Sequence, residues 1–321
     1  AGCTTVVKPS ELTSTTTVML GEFLIEAGLP PGVVNIVLGH GDPVGARMAT
    51  HPDVDMVSFT GSTAVGKAIV AATSGTLKKV SLELGGKNPQ VIFADADLDQ
   101  AADAIVFGVY FNAGECCNSG SRIIVHEDVA TALNEKIVAL SRRVPFGDPL
   151  NTATKVGAII SPEHQAKIDG HVKAAAASGA KILLGGDAVS VDGLNGQFYQ
   201  PTVVAGVDTS MPIATEEVFG PVLSVLTFKS FEEAVALANS ASYGLSAGVW
   251  SENMHTCLAF VRLVEAGTVW TNTWMDGYPE LPFGGVKESG LGRELGPQGI
   301  EEFLETKTVQ MRIGKTRAMW V

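Results

Sequence analysis

The sequence predicts an α/β protein built on parallel sheets. Strand-like apolar runs and helical periodicities alternate from the first residues onward. The connections between them are short, and runs such as "GVVNIVLG" are continuously apolar, as in strands covered on both faces. Each element follows in order. "CTTVVKP" reads as a strand that encloses Cys3, and "SELTSTTTVMLGEFLIEAG" as a helix with Leu20, Phe23, Leu24 and Ala27 on one side. Gly28 and two prolines end that helix. "GVVNIVLG" is a strand, "GDPVGARMATH" a short helix and "VDMVSFTGS" a strand. "TAVGKAIVAATSG" is again a helix, and "KKVSLELGG" closes the first block as a strand. This order directs ligands to the carboxyl ends of the strands.

A second α/β block starts near Lys87 with a helix around "LDQAADAIVFGVYFNAG". It continues through the strand "SRIIVH", the helix "DVATALNEKIVALSRRV", the helix "PEHQAKIDGHVKAAAASGA" and the strand "KILLGG". Residues 187–215 read as loop. The strand "PVLSVLTF", the helix "SFEEAVALANSA", the strand "SAGVWS", the helix "NMHTCLAFVRLVEAG" and the strand "GTVWTNT" follow. The segment "ETKTVQMRIGK" alternates like a lone strand, which needs an edge to pair with.

Composition removes several classes of function. The formal charge of −12 and the lack of a basic stripe argue against a nucleic-acid partner. Apolar stretches such as "ADAIVFGVYF" are too short for a membrane span, and no secretory signal is read at the start. The four cysteines Cys3, Cys116, Cys117 and Cys257 form neither a disulfide framework nor a CxxC metal spacing, so no metal is expected. A reducing, cytoplasmic setting follows. The opening "AGCTTVVKPSELT" reads as the inside of a domain, so the chain is expected to be a fragment.

The chemistry concentrates in two short stretches. "FNAGECCNSGSR" places Cys116 and Cys117 among small residues, on a loop between a helix and a strand. By default a cysteine is a small buried hydrophobe. Here Gly114, Ser119 and Gly120 leave room for a substrate, and free loop N–H groups can stabilise a thiolate and a developing oxyanion. "LELGGKNP" ends an apolar strand at Glu83. A carboxylate among apolar neighbours acquires a raised pKa and suits a general base; a solvated strand-end glutamate is the plainer alternative. "FTGSTAVGK" sets Gly61, Ser62 and Gly66 at a strand-to-helix turn, where a helix N-terminus can hold a pyrophosphate.

"VSLELGGKNP", "FNAGECCNSGSR", "EEVFGPV" and "PFGGVKESGLGREL" together resemble the signature segments of the NAD(P)-dependent aldehyde dehydrogenase family, in the family's order and spacing. The resemblance runs through essentially the whole chain, and "NTW" and "ELP" point toward its betaine aldehyde branch. It implies a partial Rossmann-type cofactor domain (residues 1–85), an α/β catalytic domain (86–300) and a C-terminal oligomerisation strand (301–321). It also implies a homodimer or homotetramer and a family N-terminal segment that is absent here, so residues 1–321 alone are expected to be nearly inactive.

In the family pattern the nucleophile stands five residues before an arginine, here Arg122, so the resemblance implies Cys117 as nucleophile, with Glu83 activating the water and Glu294 in proton relay. The implied cofactor contacts are Lys8, Ser10, Glu11, Gly61, Ser62, Gly66, Leu84, Gly85, Glu217 and Phe219. Glu11 favours NAD over NADP, whose 2′-phosphate it would repel. Phe111, Cys116, Asn118, Trp274 and Phe283 form the expected pocket for a small aldehyde, either a quaternary ammonium compound or a neutral hydroxy- or semialdehyde. The rival readings are a catalytically silent relative, which would lack Cys117 or Glu83, and a CoA-acylating enzyme, which the intact Glu83 disfavours.

Overall fold

A computed structural model describes residues 1–314 and residue 321. Its centre is a seven-stranded sheet with the spatial order Thr268–Thr271, Ser246–Trp250, Pro89–Ile92, Arg122–His126, Val222–Phe228, Thr202–Ala205 and Lys181–Leu184. Neighbours run parallel except at the last edge, where Lys181–Leu184 is antiparallel to Thr202–Ala205. Val91, Ile92, Ile123, Ile124 and Val203 in its central strands are fully buried, which explains their unbroken apolar runs.

Local sequence starts and orients the covering helices. Asp97 caps Leu98–Tyr110 by accepting from the N–H groups of Asp99 and Gln100. That helix then buries Ala101, Ile105, Gly108 and Val109 on one face, at helical spacing. Ser161 caps Pro162–Ala177, with proline at the first helical position, and Ser230 caps Phe231–Asn239.

Two smaller sheets lie on the amino-terminal side. Thr5–Val7 pairs parallel with Val34–Ile36. Met56–Thr60 pairs parallel with Lys79–Glu83, whose other edge takes the short strand Gly290–Leu291 antiparallel. A segment late in the chain therefore completes a sheet begun before residue 85.

Several expectations need correction. Pro89–Ile92 is a central strand that the sequence reading passes over, because a proline normally interrupts a strand; it stands at the first position, where its missing N–H costs little. Thr202–Ala205, inside the stretch read as loop, is a second buried strand of only four residues. Cys3 is exposed and precedes its strand instead of lying within it. The alternating tail forms no strand between residues 305 and 314. Val309, Met311 and Ile313 there are exposed in the single chain. The end of that segment lies outside the described residues.

Candidate active site

The chain leaves one sheet at Glu83 and enters the next at Pro89, and the residues between them form the seam on which the site is built. The cysteine loop joins the same seam because it leads into Arg122, the first residue of its strand. Cys117 thus lies at the amino ends of the large sheet, not at the carboxyl ends expected from strand order. Glu83 and Gly61 do sit at carboxyl ends, those of the small sheet, and Lys8 follows the carboxyl end of Thr5–Val7.

Asn88 fastens the two stretches together. Its side-chain amide donates to the carbonyls of Cys117 and Ser119, both at 2.9 Å, and its Oδ1 accepts from the Ser246 N–H at 3.0 Å. Gly86 has to be glycine, because a Cβ there would stand 2.5 Å from the Cys117 carbonyl oxygen. Gly85 is held in the same way against Glu217, whose carboxylate would lie 2.6 Å from an added Cβ. Glu217 Oε1 in turn accepts the Gly86 N–H at 2.9 Å.

Glu83 is buried, and neither carboxylate oxygen has a hydrogen-bond partner among the described residues. Burial pushes its pKa up to about 7; the nearby Glu294 adds to the shift and Arg293 opposes it. The Cys117 thiol hydrogen-bonds to Cys116. That bond and burial hold Cys117 well above an ordinary thiol, with the carboxylates of Glu83 and Glu217 adding to the effect. Receiving the same bond draws Cys116 down to about 7, and its Sγ lies 2.9 Å from Asn118 Oδ1. Cys117 therefore needs help to lose its proton in these surroundings. Burial also raises Glu217, against the stabilising Gly86 N–H.

The remaining expected residues fall into three places. Ser62 caps the helix Thr63–Thr73, while Gly66 lets that helix approach the buried Leu84, whose side chain would be 2.7 Å from a Cβ at this position. Gly61 donates its N–H to the Glu83 carbonyl. On the outer small sheet, Lys8 Nζ donates to the carbonyls of Pro9 and Gly39 and lies 3.6 Å from Glu11. Ser10 Oγ accepts the Leu12 N–H. Backbone and His40 hydrogen bonds lower the pKa of exposed Glu11, whose carboxylate faces Lys8 and His40.

Trp274 is a buried wedge whose ring fills space that Gly108, Gly120 and Gly248 leave open, so it forms a floor beneath the cysteine loop instead of an exposed wall. Phe111 is exposed and packs against Phe107, while half-buried Phe283 pairs its backbone with exposed Glu294.

The sequence reading passes over Asn88, Glu115, His164 and Lys87. Lys87 is buried with no partner for Nζ among the described residues, and burial lowers its pKa to about 7. An asparagine and a lysine inside "GGKNP", just before a strand, were the available signal. Nothing local marks His164. No group of three or more metal-ligating side chains, and no helix long and apolar enough to cross a membrane, occurs among the described residues.

Residues 1–309 match the model of the Aldehyde dehydrogenase family. The chain belongs to the aldehyde dehydrogenase family. It is 43% identical over 321 residues to betaine aldehyde dehydrogenase of Bacillus subtilis, covering all of this chain and 66% of that protein. It is 45% identical over 309 residues to peroxisomal aminoaldehyde dehydrogenase 1 of Pisum sativum, covering 96% of this chain and 61% of the relative. The crystal structure of an NAD-dependent aldehyde dehydrogenase from Sinorhizobium meliloti superposes with a TM-score of 0.96 at 53% identity, covering 99% of this chain and 63% of that one. A Staphylococcus aureus betaine aldehyde dehydrogenase solved with NAD+ gives 0.92 at 41% identity, covering 95% and 61%. This aldehyde dehydrogenase chain therefore spans a little under two thirds of the relatives it matches, with the α/β fold of the family.

Proposed function

We propose that the complete gene product oxidises an aldehyde to a carboxylic acid with NAD. Cys117 is the nucleophile and Glu83 the general base. The observation that carries this is the buried, unpartnered Glu83 carboxylate, with its pKa near 7, in a seam that Asn88 fastens to the Cys117 loop. The residues fit a dinucleotide. The helix Thr63–Thr73 offers an N-terminus capped by Ser62, and the exposed Glu11 carboxylate, within reach of Lys8 and His40, favours NAD over NADP. When bound, NAD supplies the hydride acceptor.

The residues of the chain act in sequence. Cys117 acts as a thiolate and bonds to the aldehyde carbon, giving a thiohemiacetal oxyanion held partly by the Cys117 backbone N–H. The carbon loses its hydride and becomes a thioester on Cys117. Glu83, relieved of its proton through Glu294, deprotonates a water that cleaves the thioester and releases acid and thiolate. Glu217 and Phe219 hold the nicotinamide side, and Phe111, Asn118 and Phe283 surround the aldehyde above the Trp274 floor.

We divide the chain into a cofactor part (residues 1–85), a catalytic part (86–300) and an oligomerisation tail (301–321), acting as a homodimer or homotetramer in the cytoplasm. Pre-steady-state NADH release by the complete gene product tests the chemistry. A burst that disappears in Cys117→Ser and persists in Glu83→Gln is expected; an unchanged burst in Cys117→Ser refutes it.

A further inference from the structure

The first turn of the helix Pro162–Ala177 reaches both sides of the site, though none of its residues belongs to the machinery just described. His164 Nε2 lies 2.6 Å from the Phe219 carbonyl oxygen. A carbonyl only accepts, so Nε2 carries the proton. The His164 ring also meets the Phe219 ring edge-on, with centroids 5.8 Å apart. One turn further, Lys167 Nζ donates to the Glu217 carbonyl at 3.1 Å. On the opposite side stands Glu115, two residues before Cys117. Its Oε1 accepts the Ile160 N–H at 3.1 Å and lies 3.7 Å from His164 Nε2. Both side chains are largely shielded from water, at 16% exposure for His164 and 13% for Glu115.

Phe219 has a φ of +59°, a region that non-glycine residues enter at a cost and keep only when their surroundings impose it. The His164 hydrogen bond and ring contact are that imposition. We infer that His164 is a positioning residue: it holds the Phe219 loop to the turn whose Ile160 N–H holds Glu115 of the nucleophile loop, and this clasp fixes the distance between Cys117 and the place where hydride is accepted. This rests on the roles proposed above for Cys117 and Phe219. It adds a residue, in a helix remote in sequence from both loops, whose part is geometry alone.

The test uses the complete gene product with His164→Ala, His164→Gln and Cys117→Ser. Loss of one such hydrogen bond raises the KM for NAD and slows the NADH burst, each by about fivefold to twentyfold in His164→Ala. Burst amplitude and Tm are expected to stay near the wild-type values. Glutamine keeps an N–H donor at the same reach, so His164→Gln restores both parameters to within about threefold. Wild-type KM and burst rate in His164→Ala overturn the clasp, as does a His164→Gln variant as impaired as the alanine variant. If Cys117→Ser retains its burst, the reading of the site falls and the clasp with it. A dead Cys117→Ser beside an unaffected His164→Ala removes the clasp alone.

Discussion

The seven-stranded sheet and the small sheets beside it come from the same alternation of strand and helix, yet they are packed very differently. The helix Leu98–Tyr110 buries six residues against the large sheet, whereas Ser14–Glu26, of equal length, buries none and leaves Phe23 and Ile25 more than half exposed. The strand Arg122–His126 is buried almost throughout, while Thr5–Val7 is mostly exposed. The local sequence code makes the element in both places, but only contact with other elements makes it rigid. The site spans the two regimes. Cys117 hangs from the rigid sheet, and the expected adenosine contacts Lys8 and Glu11 stand on the exposed one.

The largest effect should separate the groups at the seam. Cys117→Ser in the complete gene product is expected to lower kcat by at least about 10³-fold. Steady-state NADH production checks this, and a residual rate within tenfold of wild type would move the nucleophile elsewhere. Glu83→Gln should lower turnover by about 10²–10⁴-fold while leaving the NADH burst. Because the folded pKa of Glu83 is raised to about 7, its base form grows as pH rises through that value. Wild-type deacylation should climb across pH 6–8, and the variant's should stay flat. The same shift means that the folded state binds more protons than the unfolded chain between the ordinary glutamate value and 7. Stability should therefore fall as pH rises through that window, and denaturant titrations should show the fall removed in Glu83→Gln.

Packing gives the sharpest contrast between the regions. Ile123→Ala, in the fully buried strand, should cost about 2–5 kcal/mol, and Phe23→Ala less than about 0.5 kcal/mol, by equilibrium unfolding of the same protein. Equal costs would mean that the amino-terminal helix is as firmly seated as the large sheet. One further effect lies between the regions. Gly86→Ala, whose Cβ would meet the Cys117 carbonyl, should slow turnover by about 10²-fold with little loss of Tm, because it shifts the loop without opening the core.

Much of the site could be read in the chain, since its parts are adjacent in sequence. Glu83 with Gly85 and Gly86, Cys116 with Cys117, and Ser62 capping its helix are each short-range patterns with a local cause. The strand Pro89–Ile92 escaped because its first residue is normally a breaker, and Thr202–Ala205 because four residues give too little periodicity to detect. Asn88 and His164 escaped for another reason: their partners are carbonyls 29 and 55 residues away, and every residue has a carbonyl.

By itself the sequence determined the α/β class, the family and the identity of the chemical groups, because apolar periodicity and reactive side chains are properties of short segments. Tertiary structure decided what those groups experience. It buried Glu83 without a partner and set Cys116 against Cys117. It brought the amino ends of one sheet to the carboxyl ends of another. Desolvation and hydrogen bonding depend on neighbours distant in the chain. A pKa near 7 at Glu83 and the clasp at Phe219 therefore exist only once the chain has folded.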